Sequence, residues 1–240
     1  MNKQMKTHPF HTKPAYDDAP EGALVPANIN DLSDLQTTSE GAEESFKSIA
    51  SSDFLPRFEL SGSNSNLAKT GAVPVGTYTL VRSKDDFTSL GKTVKAFICA
   101  WRPKALDTAS EPIMFSYDAR SPDFAAIMKK SELPDSGCMY GPEFLLYLDG
   151  QGFATYFCGS KTTRNVAPKI KSNMHKVLTF TAALIDGGKF KWHGPVVTEY
   201  DGQFTLTTKD ELQKQITKFI TPPKPTVERD DSPTGDDRPR

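Results

Sequence analysis

Two acidic-glycine turns, Asp149-Gly150-Gln151-Gly152 and Asp186-Gly187-Gly188, each stand between two apolar runs, and this arrangement constrains the chain more than any other feature. Asp-Gly readily takes the positive φ angles of tight hairpin turns. The runs Glu143–Leu148 and Phe153–Cys158 flank the first turn, and Val177–Ile185 and Lys189–Tyr200 flank the second, so two antiparallel hairpins are expected. Three more strands are expected upstream. Thr77–Arg82 is one and Ile113–Tyr117 another. Between them lies Lys92–Trp101, where Val94, Ala96, Ile98 and Ala100 alternate with Lys95, Phe97, Cys99 and Trp101 so that both faces look largely buried, and Arg102-Pro103 is expected to end it. Two helices carry their own start signals. Ser121 caps a helix with Pro122 at its first position and Phe124, Ile127 and Met128 on one stripe. Thr208-Lys209-Asp210-Glu211 forms a capping box ahead of Leu212, Ile216, Phe219 and Ile220, and Pro222-Pro223 stops that helix. A helix between the third and fourth strands is the order of the five-stranded oligonucleotide-binding (OB) barrels. The expectation is an α+β, mainly β fold: a single OB-like or related β-barrel domain with one inserted helix and a C-terminal helix. That expectation is an analogy of element order.

Residues 1–52 are rich in Ser, Thr, Pro, Asp and Glu and poor in large apolar side chains, so they read as a disordered acidic arm. Residues 53–221 are the β-rich globular domain, long enough to bury a core without disulfides or metals. Residues 222–240 are Pro- and Asp-rich and read as a disordered tail. The three cysteines, Cys99, Cys138 and Cys158, form no C-x-x-C pair. They are expected to be buried free thiols in a reducing compartment. No ligand spacing suits zinc, and neither metal nor cofactor is expected. Met1–Tyr16 is polar rather than leader-like, and no apolar run approaches the roughly 20 residues of a membrane helix. A cytoplasmic protein without membrane contact is expected.

The net charge of -1 conceals a strong asymmetry. Ala15–Phe46 holds eight acids and no Lys or Arg, while Gly150–Thr198 holds seven bases against Asp186 alone. Aromatics run through the basic stretch. Bases beside aromatics suit a polyanion with flat faces, which describes single-stranded nucleic acid. Phosphate contact is expected from Lys161, Arg164, Lys169, Lys171, Lys176 and Lys191, and base stacking from Trp192 and Tyr156, unless those two rings belong to the core. Gly159-Ser160-Lys161-Thr162-Thr163-Arg164 is not a nucleotide-hydrolysing phosphate loop, because Ser160 separates the glycine from the lysine. Phe190 and Trp192 fall on one face of a strand pattern and Lys191 and His193 on the other. The four histidines define no site, and Glu143 with Asp149 makes no persuasive acid pair.

Three runs, Ala100-Trp101-Arg102-Pro103-Lys104-Ala105-Leu106-Asp107, Gly137-Cys138-Met139-Tyr140-Gly141-Pro142-Glu143-Phe144-Leu145-Leu146 and Gly159–Arg164, together resemble uncharacterised proteins of tailed bacteriophages. The resemblance spans roughly Phe54–Tyr200 and carries no assigned activity or residue role. It implies a viral protein acting in a bacterial host. The leading expectation is a non-enzymatic single-stranded-DNA- or RNA-binding protein, an accessory of phage replication or recombination. Its acidic arm would lower non-specific affinity or recruit replication or recombination proteins, and homo-oligomers are possible partners. The rival reading is a viral structural, assembly or host-interaction protein without nucleic-acid binding, and a third is an enzyme or an inhibitor of a host enzyme.

Overall fold

The two turn-flanked hairpins form as expected. A computed structural model describes residues 24–26, 45–46, 55–63, 65–83 and 85–221. Apart from two short strands, the expected N-terminal arm lies outside the described residues, as does the expected tail. Strands β8 (Cys138–Leu148) and β9 (Gly152–Phe157) pair across the first turn. Strands β10 (Val177–Asp186) and β11 (Lys191–Glu199) pair across the second. Gly150 and Gly152 both sit at positive φ, 68° and 83°, which is why glycine recurs there.

The remaining strands are β1 (Leu24–Pro26), β2 (Ser45–Phe46), β3 (Arg57–Leu60), β4 (Tyr78–Val81), β5 (Phe87–Gly91), β6 (Thr93–Asp107), β7 (Met114–Ser116) and β12 (Gln203–Thr205). Among the described residues the main sheet has ten strands. Its path is β11-β10-β6-β8-β9-β3-β4-β5, with β7 on β6 and β2 on β7, and β1 pairs separately with β12. The sheet is mainly antiparallel, with a parallel contact between β3 and β9.

The expected barrel does not close: β11 and β5 end the path without pairing. The sheet curls instead. Phe58 on β3 comes within 5.5 Å, ring centre to ring centre, of Phe180 on β10, and Tyr78 on β4 within 6.4 Å of the same ring. At the seam, the His193 ring packs onto Gly76, where an added Cβ would collide with it.

Strand β6 overturns the expectation that Arg102-Pro103 ends it. Pro103 lies opposite Pro142 of β8. On its other edge β6 pairs with β10 over Thr93–Phe97 and with β7 over Ala105–Asp107, so Pro103 falls between the two ladders. A missing N–H costs little there. A bulge between Ile98 and Ala100 inserts Cys99 as an extra residue.

The two faces of β6 feed two cores. Ala96 and Ile98 join Phe58, Tyr78, Leu80, Phe144, Leu146, Tyr156, Leu178, Phe180 and Val197 inside the curl. Phe97, Cys99 and Ala100 join Leu145, Phe204 and helix α5 (Lys209–Ile220) on the outside. Helix α5 begins where Thr208 Oγ1 accepts from the Glu211 N–H at 3.3 Å. Its Leu212, Ile216, Phe219 and Ile220 are buried, each contributing about 1.5–3 kcal/mol. In helix α2 (Pro122–Lys130), Ser121 Oγ accepts from the Phe124 N–H at 3.1 Å. Phe124 and Ile127 are buried, but Met128, expected on the same stripe, is exposed. A short helix α1 (Asn66–Lys69) follows β3.

Candidate nucleic-acid interface

The stretch 159–176 holds two short helices, α3 (Lys161–Arg164) and α4 (Ala167–Lys171). Ser160 starts α3 through a reciprocal cap. Its Oγ accepts from the Thr163 N–H at 3.2 Å, and Thr163 Oγ1 accepts from the Ser160 N–H at 3.1 Å. Pro168 opens α4, where its missing N–H is harmless. Ala167 and Ile170 then sink into the inner core and anchor the segment. This anchoring leaves Lys161, Lys169 and Lys171 exposed and Arg164 half-buried.

These four cations have no carboxylate partner among the described residues, and no acid occurs in the sequence from 150 to 185. Two rest on aromatic faces instead. The Lys171 ammonium lies 3.3 Å from the Trp101 ring centre, and the Arg164 guanidinium 4.6 Å from that of Tyr140. Partial burial holds Lys171 below its ordinary pKa, against a smaller opposing influence from Cys158.

The other expected contacts divide. Lys176 pairs with Glu199 at 3.5 Å and Lys191 with Asp186 at 3.1 Å, both at the surface. Trp192 is 40% exposed and leans over Gly187. Tyr156 is a correction to the expected stacking pair: it is 2% exposed inside the curl, edge-on to Phe58 and Phe180, so its ring has no face free for a base. Burial pushes its phenol pKa well above the ordinary value. The hydroxyls of Tyr78 and Tyr156 have no hydrogen-bond partner among the described residues. All three cysteines are buried free thiols.

Strand β11 joins these parts. Thr162 of α3 packs against Gly194, where an added Cβ would lie 3.0 Å from the threonine methyl. Trp192 is two residues away and therefore on the same side of the strand. Thr162 of α3 and the exposed indole thus share one side of β11, about 7 Å apart along it.

A second charged cluster, which sequence reading missed, is buried. Arg102 Nη2 lies 2.7 Å from Glu143 Oε2, and Lys104 Nζ 2.5 Å from Oε1. Arg102 Nη1 donates to the Phe219 carbonyl at 2.6 Å, and its guanidinium sits 3.5 Å from the Tyr117 ring centre and 4.2 Å from that of Phe219. The cluster fastens the end of α5 to β6 and β8. Phe219, three residues before the Pro222-Pro223 stop, would not reveal this from sequence. A shallow cleft of about 320 Å³ near α2 is lined by Asp107, Ala109, Ser110, Lys130, Leu133 and Ser136. Its one carboxylate is already engaged, accepting from the N–H groups of Ala109 (3.0 Å) and Ser110 (3.2 Å) and from Lys130 (3.1 Å). Among the described residues no three His, Cys, Asp or Glu side chains gather as a metal site, and no helix is long and apolar enough to cross a membrane.

The chain matches no protein-family model, no curated protein and no solved structure.

Proposed function

We propose that the protein binds single-stranded nucleic acid without catalysing a reaction on it, with phosphates lying along α3–α4 and a base stacked on Trp192. The observation that carries this reading is a group of four cations on α3–α4 without carboxylate partners among the described residues, with Thr162 of α3 on the same side of β11 as the exposed Trp192 indole. Lys176 and Lys191 add to the surface, because an exposed ion pair contributes only about 0–1 kcal/mol and yields readily to a phosphate. The curl of the sheet, with α4 packed into its inner core, supports reading the fold as an open relative of the OB barrels by analogy of shape. The tailed-phage resemblance favours a setting in replication or recombination.

Fluorescence anisotropy of a labelled oligothymidine tests the proposal. Four neutralised phosphates give a slope of about -2.8 in log affinity against log salt, or roughly a 50-fold loss between 50 and 200 mM. Reversing Lys161 and Lys169 together to Glu is expected to weaken binding and at least halve that slope. Absence of binding at 50 mM salt, or binding indifferent to salt, would refute the reading.

A further inference from the structure

Strands β10 and β11 stay paired out to Asp186 and Lys191, but β6 leaves β10 after Thr181, with a last contact from the Ala182 N–H to the Lys92 carbonyl. The outer pairs, from Ala183 with Gly194 to Asp186 with Lys191, therefore form a two-stranded ribbon that reaches past the main sheet. The turn at its end is built rather than loose. The Asp186 carboxylate accepts from the Gly188 N–H at 2.9 Å and pairs with Lys191, and the Gly187 N–H donates to the Phe190 carbonyl at 3.0 Å.

This ordered tip displays what a solvated hairpin has no reason to display. Phe190 is 76% exposed, Leu184 60% and Trp192 40%. Leu184 pairs with His193 on one side of the ribbon, Trp192 with Ile185 on the other, and Phe190 stands at the end. A flat partner surface would cover one side; apolar groups on both sides and at the end suit insertion between two flat faces. Exposed apolar clusters of this kind mark interaction sites. The surroundings select the partner. Lys189 and Lys191 flank Phe190, and through the contact of Gly194 with Thr162 the ribbon is continuous with the cations of α3–α4.

We infer that the β10–β11 ribbon is a wedge that enters between nucleic-acid bases, Phe190 leading with Trp192 and Leu184 on its flanks, so that the protein opens duplex ends as well as coating single strands. Apolar side chains inserted between base steps unstack them, and aromatic stacking compensates the exposed bases. This inference rests on the nucleic-acid reading above.

The test uses the full chain, an oligothymidine, and a short duplex carrying 2-aminopurine one step from its end. The wild-type protein is expected to raise 2-aminopurine fluorescence and lower the duplex melting temperature. Phe190 is exposed, so Phe190→Ser should leave the protein's own unfolding midpoint unchanged. It should weaken oligothymidine binding about 5- to 150-fold, as loss of one stacked base does, keep the salt slope and abolish duplex opening. Reversal of Lys161 and Lys169, by contrast, lowers the slope. If Phe190→Ser binds and opens duplexes like wild type, the wedge is refuted and the nucleic-acid reading stands. If the wild-type protein binds no oligonucleotide, both fall. If Phe190→Ser alters only sedimentation, the tip is a contact between copies of this chain and the wedge is overturned.

Discussion

Replacing Glu143 by Gln tests the energetics of the buried charge cluster. The Glu143 side chain is 3% exposed and bonded to Arg102 and Lys104, whose side chains are 10% and 14% exposed. Burial alone would raise its pKa, but Lys104 and Arg102 outweigh burial and hold the carboxyl below the ordinary carboxylate range. Glutamine keeps the shape and strips the charge, leaving two buried cations without their counter-charge. Breaking a buried pair from one side costs about 3–5 kcal/mol. Arg102 keeps the Phe219 carbonyl and two aromatic faces, so the lower end is expected. At about 2–4 °C per kcal/mol for a domain of this size, a loss of roughly 3 kcal/mol lowers the thermal midpoint by some 6–12 °C. Near-ultraviolet circular dichroism at pH 7 measures this, and added salt should change it little because the pair is shielded from solvent. The pH dependence has a definite sign. A carboxyl with a folded-state pKa below its unfolded value adds stability above the unfolded pKa and loses it as pH falls through the folded one. Glu143→Gln should therefore have the flatter acid limb. A midpoint shift below about 2 °C, or an acid limb as steep as that of the wild type, would refute this account of the cluster.

Four further substitutions probe the fold by thermal or denaturant unfolding. Tyr156→Phe removes a buried hydroxyl without a partner among the described residues, so it should hold or raise stability by about 1 kcal/mol; a loss of that size would reveal a bond to the hydroxyl. Ser121→Ala deletes the α2 cap and should cost about 1 kcal/mol in the denaturant midpoint without changing the slope. Gly141→Ala drives a methyl into the Cys158 backbone carbonyl and should cost about 1–3 kcal/mol or more, whereas Gly150→Ala meets no neighbouring atom and pays only for its positive φ.

What the sequence made legible was local. Asp149-Gly150 and Asp186-Gly187-Gly188 announced their hairpins because turn geometry depends on the residues in the turn. Ser121 and Thr208 announced their helices because a cap bonds an N–H three residues away. The strand alternation of residues 92–101 was visible for the same reason, and so was the cationic, acid-free stretch that became α3–α4. Tertiary structure decided the rest. Pro103 continues β6 because β10 and β7 pair on either side of it, a fact set by chain segments far away. Tyr156 and Trp192 are both aromatics on amphipathic strands, yet one packs inside the curl and the other lies on the projecting ribbon. Trp192 is left outside because β6 leaves β10 after Thr181, whereas Tyr156 meets Phe58 and Phe180 across the curl. Glu143 looked like an unremarkable carboxylate because its partners stand 41 and 39 residues away. Backbone preferences are short-ranged and are written in adjacent residues. Burial, charge pairing and the closing of a sheet depend on which distant segments meet, and only the folded chain brings those segments together.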